Sequence, residues 1–365
     1  MDINKKRERY QRFWAPLTKG EGAYLGVVSP VDDSGAPPYI LERPSSLEER
    51  WLSADYSVRR AEASERNLFW GLDAVHSEFV NFGPGVHAAI LGAPYTLQMD
   101  SVWFDLEPPI HGWDPAPRFV TDRNHPLYLA IEAQTRALCA ASKGRYAVSY
   151  TDLGGVMDVL FSLRGEELLA DLIEYPELVI NAQQQLDREF LTYYNELTGI
   201  IGPSGCGYTG WIPVLSDQPW YPVQCDLSVM ISPAMFERFV MPSLDMITST
   251  IGRGMYHLDG PEQIKHLDML LSLEHVHAIQ WVPLPIARGG ANRRAIQDFA
   301  DDMSLNVYRR TLAAGKKVVL LMVNPDQVSR IFDAVGTDGV FIISVCPKRA
   351  QADEMIAHAL KHWVK

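Results

Sequence analysis

The stretch "KKVVLLMVNPDQVSRIFDAVGTDGVFIISVCP", residues 316–347, decides the fold class of this chain. Two runs rich in Val, Ile and Leu, at 316–325 and 339–347, flank an amphipathic segment at 325–335. Near-continuous apolar runs are typical of parallel strands that are buried on both faces. A strand, a helix and a second strand in this order predict a parallel βαβ unit.

The same alternation continues upstream, where helix-like stretches separate further strand candidates. These candidates are residues 87–94, 145–155, 207–217, 254–260 and 277–283. The count favours an α/β fold of the closed (β/α)8 TIM-like barrel type, with a doubly wound open sheet as the alternative. No glycine-rich phosphate loop follows any candidate strand, which argues against nucleotide binding.

The N-terminal portion has a different character, because polar segments and loops rich in Pro and Gly dominate residues 1–140. Residues 45–73 read as a helix opened by Ser45 and Ser46, with acidic residues in its first turn. We therefore expect a helical, loop-rich N-terminal extension over residues 1–140. It would pack on a barrel built mostly from residues 145–365, within a single domain spanning 1–365.

The composition narrows the class of partner. The formal net charge is -12, which argues against nucleic acid and anionic membrane surfaces and leaves small-molecule substrates open. No apolar run approaches the roughly 18 residues of a membrane span. The four cysteines lack CxxC spacing, as is typical of free thiols in a reducing cytoplasm. We expect a cytoplasmic protein, and the sequence leaves open whether it forms a homodimer.

Polar side chains end almost every candidate strand, where barrel enzymes build their active sites. These side chains are Asp152, Asp217, Gln218, His257, Asp259, Gln280, Trp281, Asn324 and Cys346. Each can ligate a metal, form a hydrogen bond or contact a substrate. Their clustering at strand ends predicts an enzyme rather than a scaffold.

His257 and Asp259, in "GMYHLDG" (254–260), point to the same face of their strand because side chains alternate along a strand. With Cys346 they form a candidate zinc triad that leaves a fourth position for substrate. They could equally act as a general acid and base. A third reading is a structural hydrogen-bonded pair beside a small buried cysteine.

The segment "SDQPWYPVQCDLS" (216–228) is the second candidate region, either as a loop with an aromatic wall over the site or as a packed connection capped by Asp226 or Ser228. Under the first reading it contributes substrate contacts together with residues at other strand ends. The predicted substrate-binding set is Asp152, Asp217, Gln218, Trp220, Tyr221, Gln224, Gln280 and Trp281.

Four segments taken together resemble the uroporphyrinogen decarboxylase superfamily. They are "SYTDLGGVMDVLFSLRGEELLADLIEYPELV" (149–179), "QCDLSVMISPAMFERFVMPSLDMI" (224–247), "YHLDG" (256–260) and "VCPKRAQADEMI" (345–356). The likeness covers residues 145–365 and follows the family's order and spacing. It implies a (β/α)8 barrel, in agreement with the strand count.

Within that superfamily the chain is more similar to the corrinoid-linked methyltransferases than to true decarboxylases, since "KKRERYQRFW" lacks an arginine-rich "R-Q-A-G-R" motif. Similar methyltransferases bind zinc through a His-x-Cys pair and a later Cys. His257 and Cys346 match the outer two positions, and Asp259 replaces the middle cysteine.

The resemblance implies a zinc-dependent methyltransferase that moves a methyl group between an O- or N-methylated small molecule and a corrinoid protein. A carboxylate in place of a thiolate makes the metal a harder Lewis acid and disfavours thiol substrates. The alternative is a metal-dependent lyase or decarboxylase on the same barrel, which needs no corrinoid partner.

Overall fold

Short apolar strands build the centre of the molecule. The computed structural model describes residues 3–31, 38–104, 107–283, 285–286 and 296–365. Its strands are β1 (Tyr24–Pro30), β2 (Leu68–Leu72), β3 (Ser77–Phe79), β4 (Thr96–Leu97), β5 (Val102–Trp103), β6 (Ala147–Ser149), β7 (Tyr221–Val223), β8 (Gly254–Asp259), β9 (Val276–Val282), β10 (Pro285–Ile286), β11 (Ile296–Gln297), β12 (Lys317–Val323) and β13 (Val340–Val345).

Helices separate most of these strands. They are α1 (Ile3–Trp14), α2 (Leu47–Leu52), α3 (Ala54–Asn67), α4 (Val86–Ile90), α5 (Pro126–Ser142), α6 (Val156–Arg164), α7 (Glu167–Glu174), α8 (Pro176–Ile201), α9 (Pro233–Met235), α10 (Met241–Ile251), α11 (Leu267–Ser272), α12 (Asp302–Ala313), α13 (Pro325–Val335) and α14 (Arg349–His362). Short 3₁₀ turns cover 202–204, 226–230 and 261–266, and a π turn covers 236–240. Across the described ranges, no helix is long and apolar enough to cross a membrane.

The main sheet has seven strands in the order β2-β1-β13-β12-β9-β8-β7. Every neighbouring pair is parallel except β1 and β2. A separate parallel pair joins β3 to β6, and a bridge links Ser149 at the end of β6 to Thr209. This mixed α/β arrangement with a mostly parallel sheet is consistent with a TIM-like fold, and closure of the barrel stays a prediction.

The two faces of the sheet bury different clusters, as strand alternation requires. On the inner face, Met255, Ala278, Val319 and Phe341 pack with aromatic residues of α1. On the outer face, neighbours such as Leu258 belong to the larger core that includes the helices. The inner face is therefore a packed apolar layer at the level of these residues, not an open channel.

Helix α1 covers the N-terminal end of this inner layer. Its Trp14 indole N–H donates to the Leu215 carbonyl at 2.8 Å. Its Arg9 forms an ion pair with Asp73, and the two side chains are only 4% and 1% exposed. The Asp73 carboxylate also accepts the Leu25 backbone N–H at 2.8 Å, so one buried carboxylate joins α1 to β1.

Two strand predictions were wrong. Residues 207–217 form a loop that folds back on itself, with Tyr208 paired to Ser216, and the strand is β7, further along the chain. Residues 87–94 contain helix α4 because the Ala-rich segment favours a helix and short apolar runs do not distinguish the two structures.

Residues 1–140 were predicted to form an extension packed on the barrel, and this prediction was wrong in part because they also contribute to the main sheet. Strand β1 lies inside the main sheet and pairs with β13. The helix predicted over 45–73 divides at Ser53, whose hydroxyl accepts the Tyr56 N–H at 3.1 Å and starts α3. The helix then ends at Asn67, and β2 pairs with β1. The predicted cap at Ser46 is confirmed, because its hydroxyl accepts the Glu49 N–H.

The buried pair between Arg9 and Asp73 generates the first prediction. Arg9→Met leaves the Asp73 carboxylate buried without its cation, and we expect the free energy of unfolding to fall by about 3–5 kcal/mol. Urea denaturation followed by circular dichroism measures the change. Arg136→Met is the matched control, because Arg136 pairs with Glu132 on an exposed helix face and should change stability by less than about 1 kcal/mol. Equal effects of the two substitutions would contradict this role for Arg9.

Candidate active site

His257 extends the inner face of β8 beyond its apolar layer, two residues after Met255. Its Nδ1 forms a short hydrogen bond with Oε1 of Gln280 on the adjacent strand β9. The Gln280 Nε2 donates to the Trp281 carbonyl at 3.1 Å, which fixes the orientation of the amide. Because the amide oxygen can only accept, we assign the proton to Nδ1 of His257, and this leaves Nε2 with a lone pair in the neutral ring.

Asp226 faces this histidine from the loop after β7. It is exposed to solvent but lies in a concave region surrounded by protein. Burial by the surrounding protein raises the pKa of Asp226, as does the charge of Asp259, while His257 and a hydrogen bond from Gln263 act in the opposite direction. The carboxyl ends of β7 and β8 therefore bring together two carboxylates and an imidazole.

Gln263 joins the two loops that carry these carboxylates. Its Nε2 donates to the Cys225 carbonyl at 3.4 Å, and its Oε1 accepts the Asp259 backbone N–H at 3.4 Å. The side chain is buried in the turn that follows β8. Gln263 is thus a positioning residue that holds Asp226 and Asp259 at a fixed separation.

Two further carboxyl groups adjoin Asp226. Asp158, near the start of α6, accepts the backbone N–H groups of Asp226 and Leu227 at 3.0 and 2.8 Å. Asp152, after β6, accepts the Gly154 N–H at 2.9 Å. Burial, with a smaller contribution from the charge of Asp226, raises the pKa of Asp152 and of Asp158 to about 7. A carboxyl group with such a pKa can hold a proton at neutral pH and donate it.

Gln224 and Tyr221 lie in the same region as these carboxyl groups. Gln224 lines a cavity of about 320 Å³ together with Asp158, Asp226, Phe104 and Met230. Tyr221 is buried, and its hydroxyl accepts the Leu153 N–H at 2.6 Å. The cavity opens beside the carboxylates, so it is the candidate substrate pocket.

The zinc triad is not preformed. Cys346 is fully buried in the outer apolar core, and burial raises the pKa of its thiol, which disfavours the thiolate that zinc needs. Across the described part of the chain, no three His, Cys, Asp or Glu side chains are placed to hold a metal ion. His257, Asp259 and Cys346 are not assembled around a common metal position in this arrangement, and zinc stays a prediction.

Other predicted site residues lie elsewhere. Asp217 pairs with Arg253, the residue before β8, at 2.9 Å, and Gln218 donates its backbone N–H to Ser216. Trp220 packs on Trp14 of α1 with ring centroids 5.0 Å apart. These three residues are therefore at the N-terminal end of the sheet.

Trp281 also points away from the strand ends, because its indole N–H donates to Ser304 on the outer helix α12 at 2.8 Å. Of the predicted set, the structure brings together His257, Asp259, Gln280, Asp152 and Gln224. Sequence reasoning missed Asp158 and Gln263 and left Asp226 as a cap. Of these three residues, only Asp226 could have been found from the sequence, because it closely follows the apolar run of β7.

Met322 lies near the C-terminal end of β12, at the kind of position where other strands carry carboxylates. It is 62% exposed and has a φ of 61°, next to an irregularity in the pairing of β12 with β13. A left-handed conformation costs a non-glycine residue about 1–2 kcal/mol. Strained residues of this kind cluster at functional sites, and Met322 lies near the C-terminal end of its strand.

No protein-family model matches the chain, and no curated protein is significantly similar in sequence. Among solved structures, a methyltransferase from Methanosarcina mazei matches with a TM-score of 0.59, over 87% of this chain and 88% of that chain. This chain shares its fold with a methyltransferase. Sequence identity to that protein is 9%, so the likeness concerns the fold alone.

The raised pKa of Asp152 gives the second prediction. The folded state keeps a proton on Asp152 up to about pH 7, whereas the unfolded chain loses it near pH 3.8. The contribution of Asp152 to stability is therefore complete below about pH 4 and is lost as the pH rises through 7. We expect Asp152→Asn, which mimics the neutral acid and still accepts from Gly154, to reduce this loss by a few kcal/mol.

Urea denaturation at pH 4.5, 6 and 8 measures the effect. Asp268→Asn, on an exposed helix face, is the control and should retain the pH dependence of the wild type. The prediction fails if Asp152→Asn and the wild type lose stability in parallel.

Proposed function

We propose that this chain is a methyltransferase that moves a methyl group between an O- or N-methylated small molecule and a corrinoid carried by a partner protein. The observation that carries the proposal is the fold shared with a methyltransferase over 87% of the chain. The resemblance of residues 145–365 to the corrinoid-linked branch of the uroporphyrinogen decarboxylase superfamily supports the finer statement about the corrinoid.

The carboxyl cluster supplies what this reaction needs from the protein. When a methyl group leaves an ether or amine, the C–O or C–N bond breaks and its electron pair stays on the heteroatom. That heteroatom then requires a proton, and Asp226, with a raised pKa and solvent access, is placed to donate it. Asp226 becomes a carboxylate, and the demethylated alcohol or amine is released neutral.

His257 has a separate role in this scheme. Its Nδ1–H donates to Gln280, and this hydrogen bond fixes the orientation of the ring. The direction in which Nε2 points is therefore fixed as well. In this orientation His257 positions the substrate heteroatom and lowers the pKa of Asp226 when the ring is charged. The charge on His257 can thus adjust the acid strength of Asp226 at the reacting centre.

A lyase or decarboxylase is the second candidate, because a carboxylic acid kept protonated near pH 7 also suits protonation of a carbanion after loss of CO₂. The two reactions differ in their products. One transfers a labelled methyl group to an acceptor, and the other releases labelled CO₂ and needs no acceptor.

The third prediction tests the proposed function. Purified protein is incubated with reduced cobalamin and a panel of methyl ethers and methylamines that carry a ¹³C-methyl group, and methylcobalamin is followed by its absorbance and by NMR. We expect label transfer from at least one donor, and we expect Asp226→Asn to slow it about 10²–10⁴-fold through loss of the proton donor. Asp268→Asn should retain the wild-type rate. Release of CO₂ from a carboxylated substrate without any methyl transfer would favour the lyase.

The fourth prediction concerns zinc. Elemental analysis of protein purified without chelator is expected to find about one zinc per chain, and His257→Ala, Asp259→Ala and Cys346→Ala are expected to lose it while remaining folded. Binding would require Cys346 to leave the apolar core, so circular dichroism and tryptophan fluorescence should change on adding zinc to the metal-free protein. Absence of metal, with none taken up on titration, would remove zinc from the proposal and leave the proton donor intact.

A further inference from the structure

A second cavity, of about 230 Å³, lies at the end of the sheet opposite the candidate active site. We call it the basal cavity. Its lining includes Lys6, Arg7, Trp70, His76, Arg145 and Tyr146. Lys6 and Arg7 come from α1, and Tyr146 immediately precedes β6, which places the cavity at the N-terminal ends of the strands.

Cationic side chains dominate the wall of the basal cavity, in a chain whose net charge is -12. The described lining contains three Lys or Arg side chains and no Asp or Glu. Lys6 Nζ donates to the Trp70 and Ala74 carbonyls at 3.1 and 2.5 Å, and Arg7 donates to the Gly205 carbonyl at 3.0 Å. Carbonyl oxygens orient these cations without cancelling their charge, so the wall favours an anion.

Nearby carboxylates partly balance the positive charges of Lys6 and Arg145. Burial lowers the pKa of Lys6, and the charge of Asp73, whose carboxylate already forms the buried ion pair with Arg9, acts in the opposite direction. Arg145 pairs with Glu65 at 2.6 Å at the exposed rim. Glu78 adds a negative charge beside His76, so the positive potential of the cavity comes from the side formed by Lys6 and Arg7.

Flat rings form another side of the cavity. Trp70 stacks on His76 with centroids 4.2 Å apart and an interplanar angle of 13°, and Tyr146 contacts His76 at 4.9 Å. A bond of 2.5 Å from His76 Nε2 to the Glu78 carboxylate fixes the imidazole. The rings are rigidly held and present a surface that suits a planar ligand.

The Tyr146 hydroxyl provides an independent indication of a ligand. Tyr146 is 3% exposed, and its hydroxyl has no hydrogen-bond partner in the part of the chain that the structure describes. Buried hydroxyls almost always have a partner, because leaving one unpaired is costly. An acceptor brought in by a ligand would satisfy it.

We propose that the basal cavity binds a small aromatic carboxylate. The ring packs against Trp70 and Tyr146, and the carboxylate lies between Lys6 and Arg7 and accepts from the Tyr146 hydroxyl. This binding site is separate from the candidate active site, since the two cavities share no lining residue.

The test is isothermal titration calorimetry of benzoate into the full-length protein. We expect saturable binding to one site, with Kd raised about 10-fold or more by Arg7→Ala and about 10-fold by Tyr146→Phe, since a hydrogen bond to a charged group is lost in each case. Arg136→Ala, on an exposed face of α5, should leave Kd unchanged. Tyr146→Phe should not lower the melting temperature, because the hydroxyl has no partner to lose.

Three results would overturn the proposal. They are absence of saturable benzoate binding, equal affinity in the wild type and both cavity variants, and inorganic phosphate binding as tightly as benzoate. Cyclohexanecarboxylate tests the aromatic requirement and should bind several-fold more weakly. Equal binding of the two carboxylates would contradict the role of the rings.

Discussion

The ion pair between Arg9 and Asp73 constrains the whole N-terminal end of the molecule. Besides holding Asp73, the Arg9 guanidinium donates to the carbonyls of Ala23 and Lys365 at 2.6 and 2.5 Å. Two charges this deeply buried are stable only when each is paired and hydrogen-bonded, so α1, β1 and the C-terminus must assemble together. The aromatic residues of α1 can then fill the inner face and leave the opposite strand ends free for chemistry.

At those opposite ends, the electrostatics follow from crowding of like charges. Asp152 follows β6, Asp158 lies in α6, and Asp226 and Asp259 lie at the carboxyl ends of β7 and β8, so four separate segments bring these carboxyl groups together. Burial and mutual repulsion make full ionisation unfavourable near neutral pH. Asp152 and Asp158, whose pKa values burial raises to about 7, can therefore hold protons near neutral pH.

Much of the fold was accessible from sequence because its signals are local. The runs at β8, β9, β12 and β13 predicted parallel strands, and the structure confirms them. Strand β1 escaped detection because its short apolar run lies within the polar N-terminal portion that was expected to be an extension. In the site, the hydrogen bond between His257 and Gln280 lay within the predicted set. Two features depend on tertiary packing, which the spacing of residues in the sequence does not predict. One is the contact of Asp226 with Asp158, and the other is the burial of Cys346 in the outer apolar core.

The position of β1 has a consequence for biosynthesis. Its parallel neighbour β13 is the last strand of the chain, and Ala23, just before β1, donates to the carbonyl of Trp363 near the C-terminus. During translation one edge of β1 therefore has no partner until β13 has been synthesised. A nascent chain with an unpaired strand edge is prone to non-native association, and the main sheet is complete only after β13 has been added to β1.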